Sequence, residues 1–129
     1  TNEAGRHMTG TFFMEGTFAN SSTLASISTL NIDVSGSSGH TGSNSWSLSL
    51  PSGPPATMQN FLQTHVDLQA SCFTGTCLSS DPPGPGKASG AFVGPNADGV
   101  ILGFSATAGL NPASKRVVGT AHGQRIEPL

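Results

Sequence analysis

Few side chains in this sequence are arranged as a catalytic or metal-binding group would be. His65-Val-Asp67 is the first. On an extended strand, residues two apart project from the same face, so this imidazole and carboxylate are placed to share a metal ion, or the Asp to orient the His. His122 is a third candidate ligand if its strand lies beside that of His65. Against this, Val66, Leu68 and Ala70 form the apolar face of the same segment, which turns His65 and Asp67 toward solvent. The metal reading of His65, Asp67 and His122 is therefore weaker than an ordinary wet exterior, and no cofactor is expected. His7 stands near one end of the chain and His40 in a Gly/Ser-rich stretch, and neither carries a site.

Cys72-Phe-Thr-Gly-Thr-Cys77 has four residues between its cysteines, two more than a redox Cys-x-x-Cys, and no further zinc ligands nearby in sequence. A local disulfide is the favoured reading over free thiols or metal and redox use, and it implies an oxidising compartment. Serine is abundant, yet no Gly-x-Ser-x-Gly elbow occurs. The seven acids are scattered from Glu3 to Glu127 without an evident paired-carboxylate motif. No glycine-rich loop leads into a helix to cradle phosphate. An enzyme is not expected.

Composition sets the surroundings for these residues. Only 9% of the 129 residues are charged, against about 25% in an average protein. With 18 Ser, 13 Thr and 17 Gly, polarity comes from hydroxyls and backbone, a profile common in secreted and cell-surface β proteins. The length fits one domain with a real core. A net charge of −2 without a basic cluster argues against nucleic acid and anionic membrane surfaces as partners. The apolar stretches fall short of a spanning helix, which needs about 20 residues. An upstream leader removed before Thr1, with the chain a fragment or module of a larger envelope protein, is a further expectation.

The elements that must position these residues are strands. Period-two alternation predicts them over 9–18, 24–34, 45–50, 64–72, 87–93, 99–108 and 117–125. Their inward faces are Phe12, Met14, Gly16 and Phe18, then Leu30, Ile32 and Val34, then Trp46, Leu48 and Leu50, then Val66, Leu68, Ala70 and Cys72. An eighth strand would come from splitting 24–34 or from the segment after Pro55. Residues 56–63 are the only plausible helical turn. The proline-rich stretches 51–55 and 81–86 read as breaks. Hairpin-like connections, in-strand glycines and the need to protect edges favour an antiparallel up-and-down β-barrel of about eight strands, with at most one short helix.

Gly90-Ala-Phe-Val-Gly-Pro-Asn-Ala-Asp-Gly-Val-Ile-Leu-Gly-Phe-Ser105 resembles the strand–turn–strand signature of the eight-stranded barrel domains in transferrin-binding protein B and related bacterial surface lipoproteins. Val118-Gly-Thr-Ala-His-Gly-Gln-Arg125 looks like the closing strand of such barrels. The 45–50 strand and the cysteine loop also resemble C-terminal barrel domains of FecR-domain proteins. The strong match covers about a quarter of the chain. It departs from the family pattern at Val93, where an aromatic is usual, and in having no Tyr. The resemblance implies a barrel in the periplasm or on the outer-membrane surface of a Gram-negative bacterium; the short apolar stretches add that the chain does not span the membrane, so that any membrane association is expected through the parent protein.

Three roles follow. One is a barrel binding a protein or small ligand through loops 36–44, 51–63 and 72–86, with Met58, Phe61, Leu62, Phe73 and Leu78 as apolar contacts. The second is a structural spacer in a larger envelope protein, in which those same residues plug a barrel mouth. The third is a carrier of haem, metal or lipid. Phe12, Phe18, Leu30, Trp46, Leu48, Phe92 and Phe104 are expected to fill the interior, which weighs against the carrier.

Overall fold

A computed structural model of the chain describes residues 1–2, 4, 7–17, 26–36, 44–52, 56–73, 77, 82–95, 98–109 and 115–124. The strands are β1 (Met8–Thr17), β2 (Ser26–Gly36), β3 (Ser45–Ser49), β4 (Ala56–Thr57), β5 (Val66–Phe73), β6 (Gly84–Val93), β7 (Gly99–Ala108) and β8 (Lys115–Gln124), with one helix, α1 (Met58–Gln63). They form a single antiparallel sheet in the order β1-β2-β3-β5-β6-β7-β8, curled into a nearly closed barrel. The eighth strand is the two-residue β4, which follows Pro55 and pairs with β2 at Ser26 and Ile27, where the shorter β3 leaves that edge open.

Alternation decides the inside. On β5, Val66, Leu68, Ala70 and Cys72 are buried while the residues between them are exposed. Trp46 and Leu48 on β3 and Leu30 and Ile32 on β2 complete the core from the neighbouring strands. Each large apolar side chain fully withdrawn from water contributes about 1.5–3 kcal/mol. Ile27 breaks the parity of Leu30 and Ile32 yet is fully buried, because the β1–β2 register shifts between Glu15 and Gly16. Ser28 is the extra residue of this bulge, and its hydroxyl donates to the Glu15 carbonyl at 3.2 Å. A bulge of this kind turns the strand so that Ile27 re-enters the core.

The proline-rich stretch read as a break is partly strand. β6 begins at Gly84 and contains Pro85, opposite Gln69 of β5. Proline is tolerated there because the β6–β7 ladder starts only at Gly86, so the missing N–H falls at a strand end. The residues expected to fill the barrel divide. Leu30, Trp46, Leu48 and Phe104 are buried, whereas Phe12 and Phe92 are only half-buried and Phe18 lies outside the described residues. The interior is thus packed on the β2–β3–β5 side and open toward β1 and β8, which corrects the expectation of a filled barrel.

Candidate functional site: the seam between first and last strands

Six antiparallel pairings lead from β1 to β8, so those two strands point the same way. Among the described residues no ladder joins them. The edge of β8 is instead met by the first residues of the chain. Thr1 N donates to the Val118 carbonyl at 2.7 Å, Val118 N donates to the Thr1 carbonyl at 2.9 Å, and Asn2 bridges Val117 in antiparallel sense.

A buried polar cluster holds that short segment in place. The Asn44 side-chain oxygen accepts from Asn2 Nδ2 at 3.1 Å and from the Trp46 indole N–H, also at 3.1 Å. The Asn2 side-chain oxygen in turn accepts from Ala4 N at 3.0 Å. Asn44 and Asn2 are both buried, a setting in which a polar group is tolerated when it is hydrogen-bonded. This role is not legible in the sequence, since Asn44 closes a Gly/Ser stretch that reads as turn chemistry.

Beyond Val118 the seam is open. The inward positions of β8 are Val117, Gly119, Ala121 and Gly123, so after Val117 this strand contributes almost no side-chain volume. Two rings from elsewhere cover the glycines: a Cβ at Gly119 would stand 2.7 Å from the Phe104 ring, and one at Gly123 would stand 2.9 Å from the Phe12 ring. The Phe12 side chain, rather than a backbone ladder, therefore spans from β1 to β8. What remains is a cleft of about 1060 Å³, lined chiefly by Phe12, Met14, Phe92, Val100, Phe104 and Ala121. Such a volume is at the upper end of small-molecule sites, and its lining is the apolar kind that binds by burial.

The residues singled out from sequence fall elsewhere. Cys72 and Cys77 are joined as a disulfide with Cα atoms 5.7 Å apart, and both are buried at the end of β5. An intramolecular disulfide points to an oxidising compartment. His65 Nε2 lies 3.3 Å from Asp67 Oδ1, with the side chains 43% and 81% exposed. Exposed pairs of this kind contribute little. His122 is exposed on β8, and β6 and β7 separate it from the strand beside His65, so the two histidines are not on neighbouring strands. Among the described residues no three His, Cys, Asp or Glu side chains converge.

Met58 and Phe61 are the buried residues of α1 and belong to the core, and Met58 also lines the cleft. Leu62 and Phe73 are exposed, and Leu78 lies outside the described residues, as do most of 36–44 and 74–81. The in-strand glycines read as bending points include the two ring seats on β8. The seam itself had no local signature, because it depends on β4 leaving the main strand path. No helix among the described residues is long and apolar enough to cross a membrane. No protein-family model, curated protein or solved structure matches the chain.

Proposed function

We propose that this protein is a non-enzymatic binding barrel of an extracytoplasmic compartment that takes an apolar ligand group into the cleft between β1 and β8. The observation that carries this reading is the cleft itself, about 1060 Å³ in volume and mainly apolar in its lining, in an otherwise packed barrel. The disulfide supports the compartment, and the resemblance of 90–105 to bacterial surface barrels favours the periplasm or outer-membrane surface of a Gram-negative cell. Of the apolar residues in 51–63, Met58 lines this cleft while Phe61 is packed in the core.

The test is uptake of the apolar fluorophore 1-anilinonaphthalene-8-sulfonate by the oxidised, cooperatively folding chain. Saturable binding is expected, weakened at least about tenfold (1.4 kcal/mol) by Ala121→Phe, which fills the cleft. If the fluorophore is not taken up, or if Ala121→Phe leaves uptake unchanged, the cleft is not a binding site and the barrel serves as a structural spacer.

A further inference from the structure

A short run of contacts joins the disulfide to the residues that meet the edge of β8. We propose that closure of the Cys72–Cys77 bridge is a redox latch: in an oxidising compartment it seats Thr1 and Asn2 on β8, acting through Trp46 and Asn44. The latch holds this part of the seam whatever enters the cleft.

The run begins at Cys72, which lies directly opposite Trp46 in the β3–β5 ladder, and both side chains are buried in the core. Residues opposite one another share a face, so the half-cystine and the indole are cross-strand neighbours. The indole N–H donates to Asn44 Oδ1, and the same atom accepts from Asn2 Nδ2, each at 3.1 Å. Gly36 N donates to the Asn44 carbonyl at 2.9 Å, which fixes the backbone behind that side chain. In a close-packed interior with the backbone held, a displacement of the indole is passed on to Asn2. Asn2 in turn lies opposite Val117, and Val118 N donates to the Thr1 carbonyl at 2.9 Å.

The covalent bond matters because of Cys77. Its side chain is buried in the same core cluster as Trp46, although it stands beyond the last residue of β5, five positions from Cys72. In the dithiol form no bond holds it there, and the cluster around the indole loses a fixed member. Closing the bridge removes two protons and two electrons from the thiols. The disulfide of a thiol–disulfide oxidoreductase takes them up and leaves as a dithiol. Exchange in the reverse sense requires a thiolate to reach a sulfur. With Cys72 and Cys77 only 7% and 6% exposed, the closed bridge is shielded, so the latch works in one direction.

The test uses the full chain, either oxidised with glutathione disulfide or unfolded, reduced and refolded in dithiothreitol, as wild type and as Asn44→Ala. Exchange of the Val118 amide reads the seam, and the emission of Trp46, the sole tryptophan, reads the step between. Exchange at Val118 is expected to be at least about tenfold faster in the reduced wild type, within the usual range for coupled sites. The Trp46 emission is expected to move to longer wavelength in the same sample. In Asn44→Ala, Val118 is expected to exchange fast in both redox states. Equal rates in the oxidised and reduced wild type overturn the latch. So does an undiminished acceleration on reduction in Asn44→Ala, which is what a general loss of stability would produce. Faster exchange with unchanged emission overturns the route through Trp46. A reduced chain without a β-type circular dichroism spectrum also overturns the latch, which requires a barrel that folds before the bridge closes.

Discussion

Asn44 shows how one side chain fixes a region the alternation pattern does not reach. It is buried, and its amide oxygen receives both the Trp46 indole and the Asn2 side chain. Trp46 is itself fully buried, so its N–H has to be satisfied inside the protein. Removing the acceptor while keeping the donors leaves desolvated N–H groups behind, at a cost of about 1–3 kcal/mol. Asn44→Ala is therefore expected to lower the unfolding free energy by that amount, read as a lower urea midpoint at unchanged slope. It is also expected to free Thr1 and Asn2 from β8, seen as faster amide exchange at Val118. A stability loss without faster exchange at Val118 would mean that Asn44 supports Trp46 alone. His65 and Asp67, which looked more chemical, pair with each other on the exposed outer face.

The helix α1 is short and its stability comes from packing. Thr57 caps it by accepting from Asn60 N at 3.1 Å, and Thr64 ends it by donating from both N and Oγ1 to the Asn60 carbonyl. Six residues do not hold a helix in water unaided. What holds this one is the burial of Met58 and Phe61, with the Phe61 ring 6.4 Å from that of Phe92 on β6. Gly90 makes the approach possible: a Cβ there would stand 2.8 Å from Phe61 Cζ and would also collide with the Ile101 carbonyl of β7. Phe61→Ala is expected to cost about 3–5 kcal/mol, as for other buried aromatics. Gly90→Ala, which adds one carbon at the same contact, is expected to cost about 1–3 kcal/mol by overpacking. Chemical denaturation of both variants checks the pair; a neutral Gly90→Ala would show that neither the Phe61 ring nor the Ile101 carbonyl lies this close to Gly90 in solution.

The barrel as a whole is stapled at one end and open along one side. The Cys72–Cys77 bridge closes a loop with a sequence separation of 5, so on the chain-entropy account it contributes only about 2 kcal/mol, mainly by restricting the unfolded chain. Cys72→Ser with Cys77→Ser is expected to lose about that much while keeping the β-type circular dichroism spectrum, because the strands have a core of their own. Unfolding of the double variant at the starting temperature would show that the packed side cannot hold the sheet without the bridge. The open side follows from strand count: with β4 diverted to β2, seven strands remain on the main path, and an odd number leaves first and last parallel.

Most strands, the inward faces of β3 and β5 and the solvent-facing side of His65 and Asp67 were legible in the sequence, because side-chain alternation is a local property of extended backbone; Gly16, read as inward, is exposed where the β1–β2 register shifts. The sequence also placed the helical turn after Pro55 and the cysteine pair within bonding reach. Where it misled, composition had overridden position: Gly84 and Pro85 read as a break but pair with Ala70 and Gln69 of β5. Which strands meet, that β4 leaves the path, and that Phe12 and Phe104 are set over glycines of β8 emerge from long-range packing. The seam and its cleft belong to that second group. They arise from pairings between residues more than a hundred positions apart, Thr1 with Val118 and Asn2 with Val117, and no local periodicity encodes the polarity of two strands at opposite ends of a chain.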